Sequence, residues 1–204
     1  MSFRSQIQRR LLLSASTVVA AGAVLLPSGA FAAPQVPPPF PRSVSAPAPA
    51  RWVETTDAPS GIKVRLPGNP EVQKLTKAKD GVDGRIYMAA TDTGVAGFAV
   101  ADAAGVKDLK QNLRGFLDGY NEESRSPRSE LTGTAVKVTT SGGQRVLDTR
   151  LSAKDGTVGF LRLIDDGHHL VELVSLGPEQ QKASVAEAHQ QLLDSLRIPA
   201  PGDI

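Results

Sequence analysis

The sequence predicts an α+β domain: an antiparallel sheet made of two meanders, flanked by helices. Three observations predict it. Tight-turn signals cut residues 131–176 into four apolar segments, and two further segments repeat apolar residues at helical spacing. The order is strands, helix, strands, helix, which does not alternate as a parallel α/β sheet would.

Ile62-Lys63-Val64-Arg65-Leu66 alternates apolar and basic residues and is stopped by Pro67-Gly68-Asn69-Pro70, as a half-buried first strand should be. Residues 72–79, 85–91 and 96–102 follow as strands, broken at Asp80-Gly81 and Thr93-Gly94. Val106, Leu109, Leu113, Phe116, Leu117 and Tyr120 then form one stripe of an amphipathic helix, opened by Gly105 and ending near Asn121. Gly115 and Gly119 lie inside it on one face, where they either admit a strand closely or weaken the helix end. Residues 122–130, polar and carrying Pro127, read as a surface loop.

Next come strands over 131–140, 144–153, 157–165 and 168–176, separated by Ser141-Gly142-Gly143, Asp155-Gly156 and Asp166-Gly167. Asp-Gly between apolar runs is a hairpin signal because glycine supplies the positive φ of primed turns. The last two strands are apolar on both faces, so they belong in the centre of the sheet with cover on each side. Gly177-Pro178-Glu179 opens a second helix whose buried stripe is Val185, His189, Leu192, Leu193 and Leu196.

Four regions follow: residues 1–32, 33–50, 51–198 and a short tail, 199–204. Arg4, Arg9 and Arg10 precede the apolar run Leu11–Leu26, which is too short to span a bilayer. Pro27-Ser28-Gly29 and Ala30-Phe31-Ala32 come next, the order of a secretory signal peptide cut after Ala32. Arg9-Arg10 resembles a twin-arginine signal, although Gln8 and Leu12 depart from the usual residues, so twin-arginine and general secretion both stand. The expected location is extracytoplasmic: secreted, periplasmic or bound to the cell wall. Residues 34–50 hold seven prolines and suit an extended spacer.

Of 204 residues, 23 are basic and 21 acidic; without the three signal arginines the balance is near zero, which gives no electrostatic footprint for nucleic acid. The absence of cysteine excludes disulfides, thiol catalysis and a lipid-anchoring cysteine. The sequence contains no G-x-S-x-G, H-E-x-x-H or G-x-x-x-x-G-K-[ST] motif, and no G-x-G-x-x-G after a strand.

One polar cluster stands out, Asp165-Asp166-Gly167-His168-His169. Carboxylate and imidazole together suit zinc, but the same residues make a hairpin turn with a polar tip. Consecutive histidines on a strand point to opposite faces, which favours the turn. His189 reads as a core-edge histidine, Trp52 as an anchor before the first strand, and Arg162 as the partner of a carboxylate such as Glu172 on the neighbouring strand.

Trp52 with Ser60-Gly61-Ile62-Lys63-Val64-Arg65-Leu66-Pro67-Gly68-Asn69-Pro70 resembles the opening of exported PsbP/Mog-type domains. The resemblance continues through the first helix, Gly143-Gln144-Arg145-Val146, and the Asp155-Gly156 hairpin with Arg162. It ends at Leu192-Leu193-Asp194-Ser195-Leu196. LpqN-type exported lipoproteins are similar, although this chain has no lipobox cysteine. The resemblance implies an α/β/α sandwich that acts as an accessory or binding module, and it brings no catalytic or metal-binding set.

The expected function is therefore an exported, non-catalytic binding or accessory domain without a cofactor. It would be a monomer with no membrane span once the signal is removed. Its partner would be an envelope protein, another envelope component or a small apolar ligand. The competing reading is an exported metal-binding protein or metal-dependent hydrolase using Asp165, Asp166, His168 and His169.

Overall fold

The computed structural model describes residues 51–75, 83–102, 108–124 and 126–200. The predicted signal peptide, the proline-rich segment, residues 76–79 of the second predicted strand, Gly105 and Val106 of the first predicted helix, and residues 201–204 lie outside the described residues.

A hairpin of β1 (Trp52–Thr56) and β2 (Lys63–Pro67) forms a small sheet of its own. The main sheet comprises β3 (Glu71–Leu75), β4 (Gly84–Thr91), β5 (Gly94–Ala101), β6 (Thr132–Ser141), β7 (Gln144–Ser152), β8 (Thr157–Asp165) and β9 (Leu170–Pro178). Two helices, α1 (Leu109–Glu123) and α2 (Lys182–Ser195), complete the element list.

All seven strands of the main sheet are antiparallel, in the order β3-β4-β5-β9-β8-β7-β6. Both predicted meanders exist, and the β5–β9 pairing welds them into one sheet. β9 therefore sits at the centre beside β8, where two-faced apolar sequence is required. Gly156 and Gly167 have φ of 91° at the two Asp-Gly turns, a conformation an L side chain resists.

Each face of the sheet carries its own core. Leu109, Leu113, Phe116 and Tyr120 of α1 pack on Leu147, Leu151, Leu161, Leu163, Leu170 and Val174. On the other face, Ile62, then Val64 and Leu66 of β2, and Leu192 of α2 cover Tyr87, Phe98, Val100, Ile164, Val171 and Leu173. The layers are α1, the sheet, and then α2 with the β1–β2 hairpin.

Several details differ from expectation. Trp52 does pack against the core, but from within an additional strand, β1, paired residue for residue with β2, and not ahead of the first strand. The first helix is capped by Asp108, whose side chain accepts from the Lys110 amide at 2.9 Å. Gly177 and Pro178 end β9 instead of opening a helix, and a short 3-10 turn, Glu179–Gln181, leads into α2. β6 is an edge strand whose register shifts between Thr134 and Lys137, where Ala135 has φ 53°; the bulge interrupts an edge that could otherwise recruit another strand.

Candidate functional site

The strongest electrostatic constellation ties the hairpin to the main sheet. Asp57, at the β1–β2 turn, is fully buried. Arg85 of β4 grips it with two bonds, Nε to Oδ1 at 2.8 Å and Nη2 to Oδ2 at 2.7 Å. Tyr87 donates its hydroxyl to Oδ1 at 2.8 Å, and Ser60 donates its amide at 3.2 Å and its hydroxyl to Oδ2. Arg85 also donates to Asp102.

Burial alone would raise the Asp57 carboxyl. The hydrogen bonds from Arg85, Ser60 and Tyr87, together with the Arg85 charge, overcome it and hold the group down to about 2. Burial and the adjacent Asp57 carboxylate push the Tyr87 phenol up, and the bonds to Asp57 keep Arg85 charged. Sequence reasoning missed this network. The available signal was Asp57-Ala58-Pro59-Ser60-Gly61, turn chemistry just ahead of the alternating segment 62–66.

The four residues of the predicted polar cluster divide. Asp165 is buried and committed to Arg145, which donates from Nε at 3.0 Å and also from Nη2, while the Gly167 amide takes Oδ1 at 3.0 Å. Asp166 turns the other way and accepts the amides of His168 and His169 at 2.8 and 2.6 Å. Its second oxygen lies 3.2 Å from His169 Nδ1. Because β9 begins at Leu170, both histidines belong to the turn and escape the alternation expected of a strand.

Their rings lie 6.4 Å apart, and both line a cleft of about 500 Å³ with Asp166, Gln144, Ser60 and Pro199. Thus Asp166, His168 and His169 come together and Asp165 does not. Among the described residues no group of three or more histidine or carboxylate side chains is arranged to hold a metal ion.

A second concavity, about 380 Å³, lies on the outer side of the hairpin. Trp52, Glu54 and Arg65 face the end of α2, which contributes Gln191, Asp194 and Ser195, with Arg197 beyond it. Local bonds fix this geometry. Ser195 Oγ accepts the Arg65 amide at 2.9 Å, and Lys63 and Arg197 exchange backbone bonds at 3.0 and 2.9 Å.

His189 is buried on the inner side of α2, its ring 5.5 Å from that of Phe160, with Nδ1 lacking a hydrogen-bond partner. Burial, reinforced by the Arg162 charge and only partly offset by Asp148, lowers its pKa to about 4 and keeps it neutral. Arg162 pairs with Asp148, Nε to Oδ1 at 2.6 Å and Nη2 to Oδ2 at 3.1 Å, rather than with Glu172. The register explains the correction. Arg162 stands opposite Leu173 and Glu172 opposite Leu163, so the two side chains leave the sheet on opposite faces.

The chain matches no protein-family model and no curated protein sequence. It is similar to the solution structure of cyanobacterial PsbP (CyanoP) from Synechocystis sp. PCC 6803. The TM-score is 0.54 and the identity 14%, with 77% of this chain and 98% of that chain covered. It is also similar to the Saccharomyces cerevisiae Ran-binding protein Mog1p, at 12% identity and TM-score 0.38 over 73% of this chain and 96% of that one. A third similar structure is LpqN, involved in cell envelope biogenesis of Mycobacterium tuberculosis. It aligns at 15% identity and TM-score 0.36 over 74% of this chain and 91% of that one. The fold is PsbP-like, as the resemblance in the sequence implied.

Proposed function

We propose that this protein is an exported, non-catalytic binding or accessory domain whose partner is a protein, an envelope component or a small apolar ligand. The observation that carries this reading is where the perturbed groups sit. Asp57, Arg85 and Tyr87 shift one another's ionisation and burial shifts that of His189, all under the cover that α2 and the β1–β2 hairpin give one face of the sheet and away from reacting space. The two open concavities are bordered instead by turn residues, a helix end and one half-buried tryptophan, whose polar groups largely serve local structure. Surfaces of that composition suit recognition. The signal-like start supports export, and no described helix is long and apolar enough to cross a membrane.

Photo-crosslinking in the producing organism tests the proposal, with the crosslinker placed at exposed Arg65 in one cleft and at exposed His168 in the other. A reproducible partner captured from one position and not the other is the expected result. Substrate-dependent turnover by the purified protein, found by activity screening, would overturn it.

A further inference from the structure

β6 is the outermost strand of the main sheet, and among the described residues only its edge toward β7 is paired. The bulge interrupts the strand between Thr134 and Lys137, and from Lys137 to Ser141 the register with β7 is regular. Beyond Ser141, Gly142 and Gly143, with φ of 58° and 82°, make a two-residue turn that leads back to Gln144. Such a turn closes on a hydrogen-bonded pair, and hydrogen-bonded and open pairs then alternate along the ladder. Thr139 and Lys137 therefore bond to β7, whereas Val138 and Thr140 direct their N–H and C=O groups outward from the sheet.

The two faces beside that free edge differ. Val138 stands opposite Leu147, on the face that α1 covers, yet it is 47% exposed, and Val136 is 42% exposed. Lys137 stands opposite Asp148, in the same cross-strand row as Arg162, on the other face. Asp148 is the one carboxylate that β6, β7 and β8 place on this second face, and Arg162 holds it. Lys137 and Arg150, the next residue of that face on β7, are exposed and form no ion pair among the described residues.

An extended peptide can add to such an edge: its main chain supplies affinity, and its alternate side chains supply specificity. The faces here suit apolar side chains on one side and carboxylates on the other. A second copy of β6, paired antiparallel about Val138, would put its own Lys137 on the face that already holds Lys137 and Arg150, and like charges disfavour that pairing. We propose that β6 from Lys137 to Ser141 is a strand-addition site for an extended segment of a partner protein in which acidic and apolar residues alternate. The inference rests on the reading above that the partner is a protein, and adds the surface and the class of segment. Residues opposite Val138 and Thr140 exchange backbone bonds with them and lay apolar side chains beside Val138, while the carboxylates between them face Lys137 and Arg150.

The probe is a short peptide alternating glutamate and valine, acetylated and amidated at its ends; in the control peptide lysine replaces each glutamate. Isotope-labelled protein recovered from the producing cell is titrated with each and followed by backbone amide NMR and hydrogen exchange. The expected result is saturable binding of the glutamate peptide alone, weakening with salt. The Val138 and Thr140 amides should gain protection while those of Trp52 and His168 stay unmoved. Val138→Pro deletes an N–H that bonds nothing in β7, so an unchanged melting temperature and roughly tenfold weaker binding are expected. Lys137→Gln with Arg150→Gln, which touches only exposed side chains, should weaken binding by a similar factor and flatten its salt dependence. Equal binding of both peptides, or binding unchanged in both variants, would overturn the proposal. So would protection of Val138 and Thr140 that grows with protein concentration in the absence of peptide, since it would place a second copy on the edge. Failure of the glutamate peptide to bind also overturns it, and leaves the binding-domain reading to be judged by the crosslinks at Arg65 and His168.

Discussion

Replacing Arg85 with Met tests the account of the buried ion pair most directly. Asp57 is 0% exposed and loses both its 2.8 and 2.7 Å bonds to the guanidinium, while Tyr87 and Ser60 remain as donors. In the native protein the carboxyl lies near 2 against an ordinary 3.8, worth about 2 kcal/mol at neutral pH. The variant forfeits that and keeps a buried carboxylate without its cation, so the loss should reach about 3–5 kcal/mol. For a domain stable by about 5–15 kcal/mol this is a large fraction, and it corresponds to a melting temperature lower by roughly 6–20 °C.

Urea unfolding followed by circular dichroism supplies the measurement, and pH supplies the signature. With Arg85 present, the Asp57 contribution is full above about 3.8 and is lost as pH falls toward 2. Without Arg85, burial raises the folded carboxyl above its unfolded value, so the variant is penalised most at neutral pH. The stability gap should therefore narrow between pH 7 and pH 4. Adding Asp57→Asn should recover more than half of the loss. A cost below about 1 kcal/mol, or an equal gap at both pH values, would refute the reasoning.

Three further outcomes are expected. His189, held neutral with a pKa of about 4 against 6.5 unfolded, gives stability that is full above pH 6.5 and declines as pH falls toward 4. Urea titrations of wild type and His189→Leu at pH 7 and pH 5 should differ in their pH response by about 2 kcal/mol, the wild type losing more. Gly177→Ala puts a methyl against the Thr93 carbonyl and Val185, where β9 passes under α2. It should cost about 1–3 kcal/mol by thermal melting, and a neutral result would show that this packing yields. Calorimetric titration with zinc should show no submicromolar binding, because Asp166 already serves the turn amides. Tight binding lost on His168→Ala and His169→Ala would move the function to metal chemistry.

The sequence by itself determined both helical stripes, the four-strand meander with its Asp-Gly turns, and the central place of the last two strands. Each of these depends on spacing or turn chemistry within about ten residues, where periodicity and positive-φ requirements act. β1 carries a weaker signal: Asp57-Ala58-Pro59-Ser60-Gly61 is turn chemistry, but Trp52-Val53-Glu54-Thr55-Thr56 before it does not alternate. Only the tertiary structure decided the rest. The β5–β9 seam sets strands about seventy residues apart side by side, a distance over which sequence carries no register signal. Asp57 meets Arg85 across 28 residues because the hairpin packs over the face of β4 and β5. Arg162 takes Asp148 instead of Glu172 because two-residue alternation put Glu172 on the far face. Both histidines reach one cleft because β9 starts after them, so the alternation that would have separated His168 from His169 never applies.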